Sequence, residues 1–226
     1  PVACALFAHC FTCSKDLKAV VNISRALVDR GIAVLRFDFT GLGESGGEFH
    51  DTDFSSNVAD LVAAAEYLEE RLEGPRLLVG HSLGGAAVLH AASRLPAVRA
   101  VSTIGAPADP EHVTLNFSPA LPEIMQHGRA EVTLAGRTFT VTREFVEDLQ
   151  AQNMERCVRE LGRALLVFHS PVDATVGIEN AAKIYMAARH PKSFVSLDGA
   201  DHLLMDPADA GFVGEVLGAW AGRYLL

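Results

Sequence analysis

Short apolar runs that alternate with longer amphipathic stretches limit most strongly how this chain can fold. Apolar residues make up 49% of its 226 positions, as is typical of parallel strands that are covered on both faces. The predicted strands cover residues 2–8, 32–37, 77–79, 98–104, 164–168 and 194–197, and the predicted helices cover 14–30, 54–72, 86–95, 179–189 and 211–226. This alternation predicts an α/β fold with a doubly wound, mostly parallel sheet.

One long stretch, residues 106–162, interrupts the alternation. It is rich in proline, its residues 132–141 have the pattern of a small hairpin, and residues 145–161 are helix-like. An insertion of this length is too large for a connecting loop. We therefore predict a core domain made of residues 1–105 and 163–226, with residues 106–162 as a cap over the active site.

The segment Gly80-His81-Ser82-Leu83-Gly84 has the G-x-S-x-G pattern of a nucleophile elbow. It follows a predicted strand directly and leads into a predicted helix, which is the setting that this chemistry requires. The sharp turn strains the backbone of Ser82, and the glycines on either side leave room for it. Ser82 is therefore the predicted nucleophile, and the helix N-terminus beneath it favours developing negative charge.

A second match, Gly43-Glu44-Ser45-Gly46-Gly47, lies in a glycine-rich run with no helix immediately after it. Such a run is typical of a surface turn. We predict no catalytic role for Ser45.

Two further motifs point to a known family. His9-Cys10-Phe11 follows the first strand as a His-Gly-aromatic oxyanion loop would, and residues 38–45 read Asp-x-x-Gly-x-Gly-x-Ser. From Leu6 to the last helix, the sequence resembles the α/β-hydrolase family. Its insertion is similar to the cap of feruloyl or cinnamoyl esterases. Residues 9–16 look more specifically like bacterial hydrolases fused to an OsmC-like domain, which implies a second domain after Leu226.

The resemblance also suggests the partners of the nucleophile. Of nine histidines, His202 follows the last predicted strand, where the family has its general base. We predict structural roles for the others; His81, although in the elbow, points the wrong way if Ser82 is raised. Asp173 follows the strand at 164–168 and gives the chain order Ser, Asp, His of this fold. Asp109, after the preceding strand, remains the alternative acid.

An acyl-transfer site also needs two fixed donors for the oxyanion. The backbone N–H of Leu83 and that of Phe11 are the predicted pair. Cys10 replaces the glycine that usually follows the histidine of this loop. Because the donors are backbone groups, the oxyanion hole can survive this replacement.

Cys10 and Cys13 form a C-x-x-C pair across the predicted oxyanion loop. We favour two packing thiols, and the chain's four cysteines without a secretion signal suggest reduced thiols in the cytoplasm. An alternative hypothesis is that oxidation of the pair displaces the Phe11 N–H and switches activity; equal activity under strong reductant and thiol oxidant would exclude it. Zinc is disfavoured because no second ligand pair is near, and the sequence implies no cofactor.

The substrate is predicted to be a small-molecule ester. Phe11, Phe117, Met125 and Phe145 are expected to line an apolar pocket for small or aromatic acyl groups, while most other apolar residues of the cap form its own small core. A net charge of −9 argues against a nucleic-acid partner, and no apolar run has the length of a membrane span. The oligomeric state is left open, with a homodimer among the options.

The sequence thus predicts a serine esterase that works through an acyl-enzyme on Ser82. The same residues support a thioesterase, an amidase or a perhydrolase. A non-catalytic binding protein on this fold is less favoured, because the predicted triad is intact.

Overall fold

The strands of the computed structural model, which describes residues 1–225, confirm the predicted fold class. The strands are β1 (Ala3–Ala8), β2 (Ile32–Arg36), β3 (Pro75–His81), β4 (Ala100–Ile104), β5 (Arg129–Leu134), β6 (Arg137–Thr142), β7 (Ala164–His169) and β8 (Lys192–Ser196). Six of them form one sheet in the order β2-β1-β3-β4-β7-β8, and every pairing in it is parallel. Their carboxyl ends therefore meet at one edge, where ligands bind in open α/β sheets.

The helices are α1 (Lys18–Asp29), α2 (Phe54–Arg71), α3 (Leu83–Ala91), α4 (Leu121–His127), α5 (Arg143–Ala151), α6 (Met154–Arg159), α7 (Glu179–Ala187) and α8 (Pro207–Leu225). Short 3₁₀ segments cover residues 49–51, 92–94 and 110–120. Across residues 1–225, none of the helices combines the length and the apolar character needed to cross a bilayer.

Side chains alternate between the two faces of the sheet because successive residues of a strand point in opposite directions. In β1, Leu6 and Ala8 join the apolar cluster that contains α2 and α3, whereas Ala5 and Phe7 join the cluster that contains α1 and α8. Both faces are thus covered, which explains the nearly continuous apolar character of the strands.

Three helices begin at residues other than those predicted. Helix α1 begins at Lys18 rather than at residue 14, because residues 14–17 form a separate turn in which the N–H of Leu17 donates to the carbonyl of Ser14. Helix α3 begins at Leu83, three residues early, since the elbow leads into it without a linker. Helix α8 begins at Pro207 rather than at residue 211, and its predicted last residue, Leu226, lies outside the described residues.

The stretch between β4 and β7 contains the 110–120 segment, α4, a β5–β6 hairpin, α5 and α6. The predicted hairpin is confirmed; its two turn residues, Ala135 and Gly136, both have positive φ, as tight hairpin turns require. The expectation that this stretch has a core of its own is wrong. Its buried side chains, among them Phe117, Phe139 and Phe145, belong to the same cluster as the side chains of α2 and α3.

Candidate active site

Ser82 lies in the sharp turn between β3 and α3. Its backbone has φ 54° and ψ −125°, a conformation that costs a residue with a side chain about 1–3 kcal/mol. A Cβ on Gly80 would collide with the carbonyl of Gly84, and one on Gly84 would collide with the carbonyl of His9. Both glycines are therefore required by close backbone approach, as the motif predicts.

A chain of hydrogen bonds joins the three predicted triad residues. His202 Nε2 lies 3.0 Å from Ser82 Oγ, and His202 Nδ1 lies 2.7 Å from Asp173 Oδ2. Because a carboxylate can only accept, Nδ1 carries the proton and Nε2 is left to accept from the serine hydroxyl. The side chain of Asp173 is 2% exposed and that of His202 is 11% exposed. The arrangement has the geometry of a nucleophile, a base and an orienting acid.

Asp173 is held as a carboxylate. Burial raises its pKa, but the hydrogen bond with His202 and those from the N–H groups of Val176 and Thr175 outweigh burial and hold the pKa below its usual value. Gly105 backs the pair so closely that a Cβ there would lie 3.3 Å from Asp173 Oδ2. The alternative acid, Asp109, is exposed and accepts from the Glu111 N–H at the start of the 110–120 segment.

The two predicted oxyanion donors lie in the turns that follow β1 and β3. Leu83 is the first residue of α3, where helix N–H groups have no intrahelical acceptor. Phe11 lies in a tight turn in which the N–H of Cys13 donates to the carbonyl of Cys10, and Thr12 has φ 59°. Among residues 1–225, no acceptor takes the N–H of Phe11 or that of Leu83. Both groups are thus unpaired, as the predicted oxyanion hole requires.

Cys10 and Cys13 are joined by a disulfide across this turn, with their Cα atoms 5.2 Å apart. The favoured interpretation of two packing thiols is therefore wrong. The idea that the oxidation state of the pair switches activity stays a prediction, as does the cytoplasmic location. Cys4 and Cys157 are free thiols; burial raises the pKa of Cys157 to about 11, which makes it a poor nucleophile at neutral pH.

Asp38 ties the oxyanion loop to the glycine-rich loop. Its buried carboxylate accepts from the N–H of Lys15, the N–H of Glu44 and the Lys15 ammonium, at 2.7, 3.0 and 3.2 Å. The Lys15 ammonium also contacts Glu44. Burial raises the pKa of Asp38, but these hydrogen bonds reverse the effect and hold it below its usual value. Ser45 lies in the exposed turn of this loop and donates to the Asp38 carbonyl at 2.6 Å, as a structural residue would.

Replacing Asp38 with Asn is expected to destabilise the protein by about 1–3 kcal/mol at neutral pH, because the N–H groups of Lys15 and Glu44 and the Lys15 ammonium lose a charged acceptor. The folded-state pKa of Asp38 is lowered, so its stabilisation is present above the unfolded pKa of about 3.9 and is lost as the pH falls through the folded value. Urea unfolding of both proteins at pH 7, 5 and 3 checks this. If the difference in the free energy of unfolding between wild type and Asp38→Asn does not shrink between pH 5 and 3, the prediction is contradicted.

The structure brings together three of the four predicted pocket residues. The ring of Phe11 lies 5.8 Å from that of Phe145 and 6.4 Å from that of Phe117. Phe11 lines the recess beside Leu83, whereas in the described part of the chain Phe117, Phe145 and Met125 do not; Met125 is 42% exposed on α4. Sequence reasoning missed Phe49, whose ring lies 5.9 Å from that of Phe11.

The recess next to Leu83 is almost filled. It is lined by Phe11, Phe39, Leu42, Phe49 and Asn57, among others, and its free volume of about 10 Å³ is close to that of one water-sized sphere. A larger groove of about 710 Å³ lies between α6 and α7; Asp109 lines it, but Ser82, Asp173 and His202 do not. The proximity of the narrow recess to the elbow makes it the candidate acyl site.

Comparisons with known proteins agree with this fold. A model described as "Alpha/beta hydrolase family" matches residues 5–215. The crystal structure of the esterase domain of a Rhodothermus marinus protein is 55% identical with a TM-score of 0.79, covering 100% of this chain and 89% of that one. Est1E from Butyrivibrio proteoclasticus, solved with ferulic acid bound, has the same fold at 20% identity and a TM-score of 0.80, covering 100% of this chain and 91% of its own.

A curated relative is matched over a shorter length. The mitochondrial palmitoyl-protein thioesterase ABHD10 of Rattus norvegicus is 34% identical over 109 residues, which is 48% of this chain and 35% of the relative. The chain thus matches about a third of the length of that protein. The matched half of the chain shares its sequence pattern with a thioesterase as well as with esterases.

Proposed function

This chain belongs to the alpha/beta hydrolase family, and we propose that it is a serine hydrolase that cleaves carboxylic esters through an acyl-enzyme on Ser82. The observation that carries the proposal is the chain of hydrogen bonds from Ser82 through His202 to Asp173. Ser82 is a weak nucleophile unless a base takes its proton, and His202 Nε2 is within reach of that proton.

In the first half of the proposed reaction, the Ser82 oxygen attacks the ester carbonyl carbon and its proton passes to His202 Nε2. Asp173 stabilises the resulting imidazolium. The N–H groups of Phe11 and Leu83 donate to the oxyanion. The tetrahedral intermediate collapses, the carbon–oxygen bond to the alcohol breaks, and His202 gives its proton to the leaving alcohol.

In the second half, a water molecule attacks the acyl-enzyme. His202 takes a proton from this water, and the same two N–H groups hold the second oxyanion. The bond between the acyl carbon and Ser82 then breaks, His202 returns its proton to the serine oxygen, and the carboxylic acid leaves. Every group that this cycle needs comes from the chain itself or from the substrate and water.

We further propose that residues 106–162 act as a cap that shapes the acyl site. Phe117 and Phe145 from this stretch contact Phe11 of the oxyanion loop. The recess of about 10 Å³ favours a small acyl group. An aromatic acyl group, suggested by the ferulic acid bound to Est1E, requires the ring of Phe11 or of Phe49 to rotate. The second domain after Leu226 is also a proposal, supported by the resemblance of residues 9–16 to hydrolases fused to an OsmC-like domain.

A thioesterase is the second candidate, because a curated relative is named palmitoyl-protein thioesterase. Ligand pockets have volumes of about 300–1,000 Å³, so a long acyl chain does not fit the recess without large side-chain movements. We therefore place esters with small or aromatic acyl groups first. Amidase and perhydrolase activity of the same triad remain alternatives that no particular contact favours.

The test is a substrate series, run beside labelling with an active-site-directed phosphonate. The series contains p-nitrophenyl esters from acetate to palmitate, a cinnamoyl ester and the matching acyl thioesters. Turnover that peaks with short or aromatic acyl esters supports the proposal. Faster turnover of long-chain thioesters would favour the second candidate. A protein that neither hydrolyses these compounds nor reacts with the phosphonate would be a non-catalytic binding protein.

A further inference from the structure

His81, the residue before the nucleophile, is buried and points away from the serine hydroxyl. It is the last residue of β3 and is 2% exposed. Its Nε2 lies 2.7 Å from the main-chain carbonyl oxygen of His202. Because a carbonyl oxygen can only accept, His81 Nε2 carries a proton and donates it. The elbow therefore contacts the base in two ways, through the Ser82 hydroxyl and through the His81 ring.

Among residues 1–225, this is the one hydrogen bond made by the main chain of His202 itself. His202 follows β8 by six residues, and the turn that carries it ends at Leu204, which has φ 51°. The bonds of this turn that involve Asp201 bind the main chain of Leu203, Leu204 and Met205 on the far side of His202. The bond from His81 connects the main chain of the base itself to the rigid sheet.

The ring of His81 is held neutral with a fixed donor. Burial and the neighbouring charge of His202 lower the pKa of His81 to about 4. The titratable groups facing it are His202, with ring centroids 5.2 Å apart, Asp173 and His9. Among residues 1–225, His81 Nδ1 has no hydrogen-bond partner. At neutral pH the ring thus donates from Nε2 without adding a positive charge beside the base.

We propose that His81 is a positioning residue that aims His202 at Ser82 by holding the main-chain carbonyl of His202. The inference rests on the proposed function, because it assigns a second anchor to the base of that reaction. The acid has a similar anchor: His169, the last residue of β7, lies with Nε2 2.8 Å from the carbonyl of Val176, in the loop that carries Asp173.

The test compares three variants with the wild-type protein. His81→Leu fills the site without a donor, and His81→Gln restores an N–H donor. His90→Leu is the matched control, because His90 is a partly buried histidine of α3 whose Nε2 has no hydrogen-bond partner among residues 1–225, and it packs against Phe54 rather than against the triad. The melting temperature of each variant shows whether a loss of activity comes from a destabilised fold or from a displaced His202.

We expect His81→Leu to lower kcat by about 10²-fold with KM nearly unchanged, as a small misplacement of a catalytic group does. His81→Gln should recover most of this loss, and His90→Leu should remain within about threefold of wild type. Full kcat in His81→Leu would overturn the proposal. So would a His81→Gln variant that melts like wild type but turns over no faster than His81→Leu.

A spectroscopic readout keeps the two proposals distinguishable. The proton on His202 Nδ1, bonded to Asp173, is observed by NMR without any turnover. We expect its resonance to broaden or vanish in His81→Leu and to persist in His81→Gln and His90→Leu. If the wild-type protein is inactive and unlabelled by phosphonate, the proposed function fails, and this resonance still decides whether His81 holds His202. An unchanged resonance in His81→Leu would overturn the inference.

Discussion

Replacing Ser82 with Ala is expected to lower kcat by about 10⁵- to 10⁶-fold, the loss typical of removing the nucleophile from such a triad. In the proposed cycle, Ser82 is the group of the chain that bonds to the acyl carbon, so neither His202 nor the oxyanion donors can replace it. Alanine takes up the same strained backbone as serine, so stability should change little. Single-turnover kinetics with the best ester of the substrate series, together with thermal unfolding, measures both effects.

The chain supplies a matched control for this variant. Ser45 has the same G-x-S-x-G context, but its hydroxyl donates to the carbonyl of Asp38 in an exposed turn. Ser45→Ala should retain kcat within about twofold, as surface substitutions usually do. Near-normal turnover in Ser82→Ala, or an equal loss in Ser45→Ala, would mean that the elbow is not the reaction centre.

The parts of the site that could be predicted from sequence are those fixed by local backbone geometry. The elbow needs glycines at two set distances from Ser82 and a strand and a helix on either side, so a short window contains the whole signal. His202 and Asp173 follow strand ends, and parallel strands bring their carboxyl ends to one edge. The remaining choice, between Asp173 and Asp109, depended on side-chain direction. In the structure, the side chain of Asp173 points at the base, with Asp173 Oδ2 2.7 Å from His202 Nδ1.

The parts that could not be predicted depend on contacts between distant segments. Phe49 packs against Phe11 across 38 positions of sequence, and its local context is only a glycine-rich loop. Met125, expected to line the pocket, is 42% exposed on α4, a helix of seven residues that gives too little periodicity to assign a face from sequence. Predicting the disulfide between Cys10 and Cys13 would have required knowing the positive φ of Thr12 in the turn between them, which no sequence pattern fixes.

The contact of His81 with His202 could not be predicted for the same reason, because it joins distant segments of the chain. Its position in the elbow shows only that the side chain turns away from the Ser82 hydroxyl. The atom that it reaches belongs to a residue 121 positions later. Because β3 and β8 are separated in the sheet by β4 and β7, only the folded arrangement of the loop after β8 brings the His202 carbonyl within reach of the ring.

Replacing Asp173 with Asn is expected to lower kcat by about 10⁴-fold with little change in fold. An amide at this position can donate to His202 Nδ1, which favours the tautomer with the proton on Nε2. That proton faces the Ser82 hydroxyl, so the base can no longer accept from it. The amide also carries no charge to stabilise the imidazolium. Steady-state kinetics from pH 5 to 9 measures the loss, which should persist at every pH because the lowered pKa of Asp173 keeps the wild-type carboxylate ionised throughout.

Asp109→Asn is the control that separates the two candidate acids. Asp109 is exposed and its carboxylate accepts from the Glu111 N–H, a bond that asparagine can keep through its side-chain oxygen. This variant should retain kcat within about twofold. A loss of 10²-fold or more in Asp109→Asn, with near-normal activity in Asp173→Asn, would make Asp109 the working acid. That outcome would require the loop after β4 to move toward His202 during turnover, and the hydrogen bond between His202 and Asp173 would then belong to a resting state.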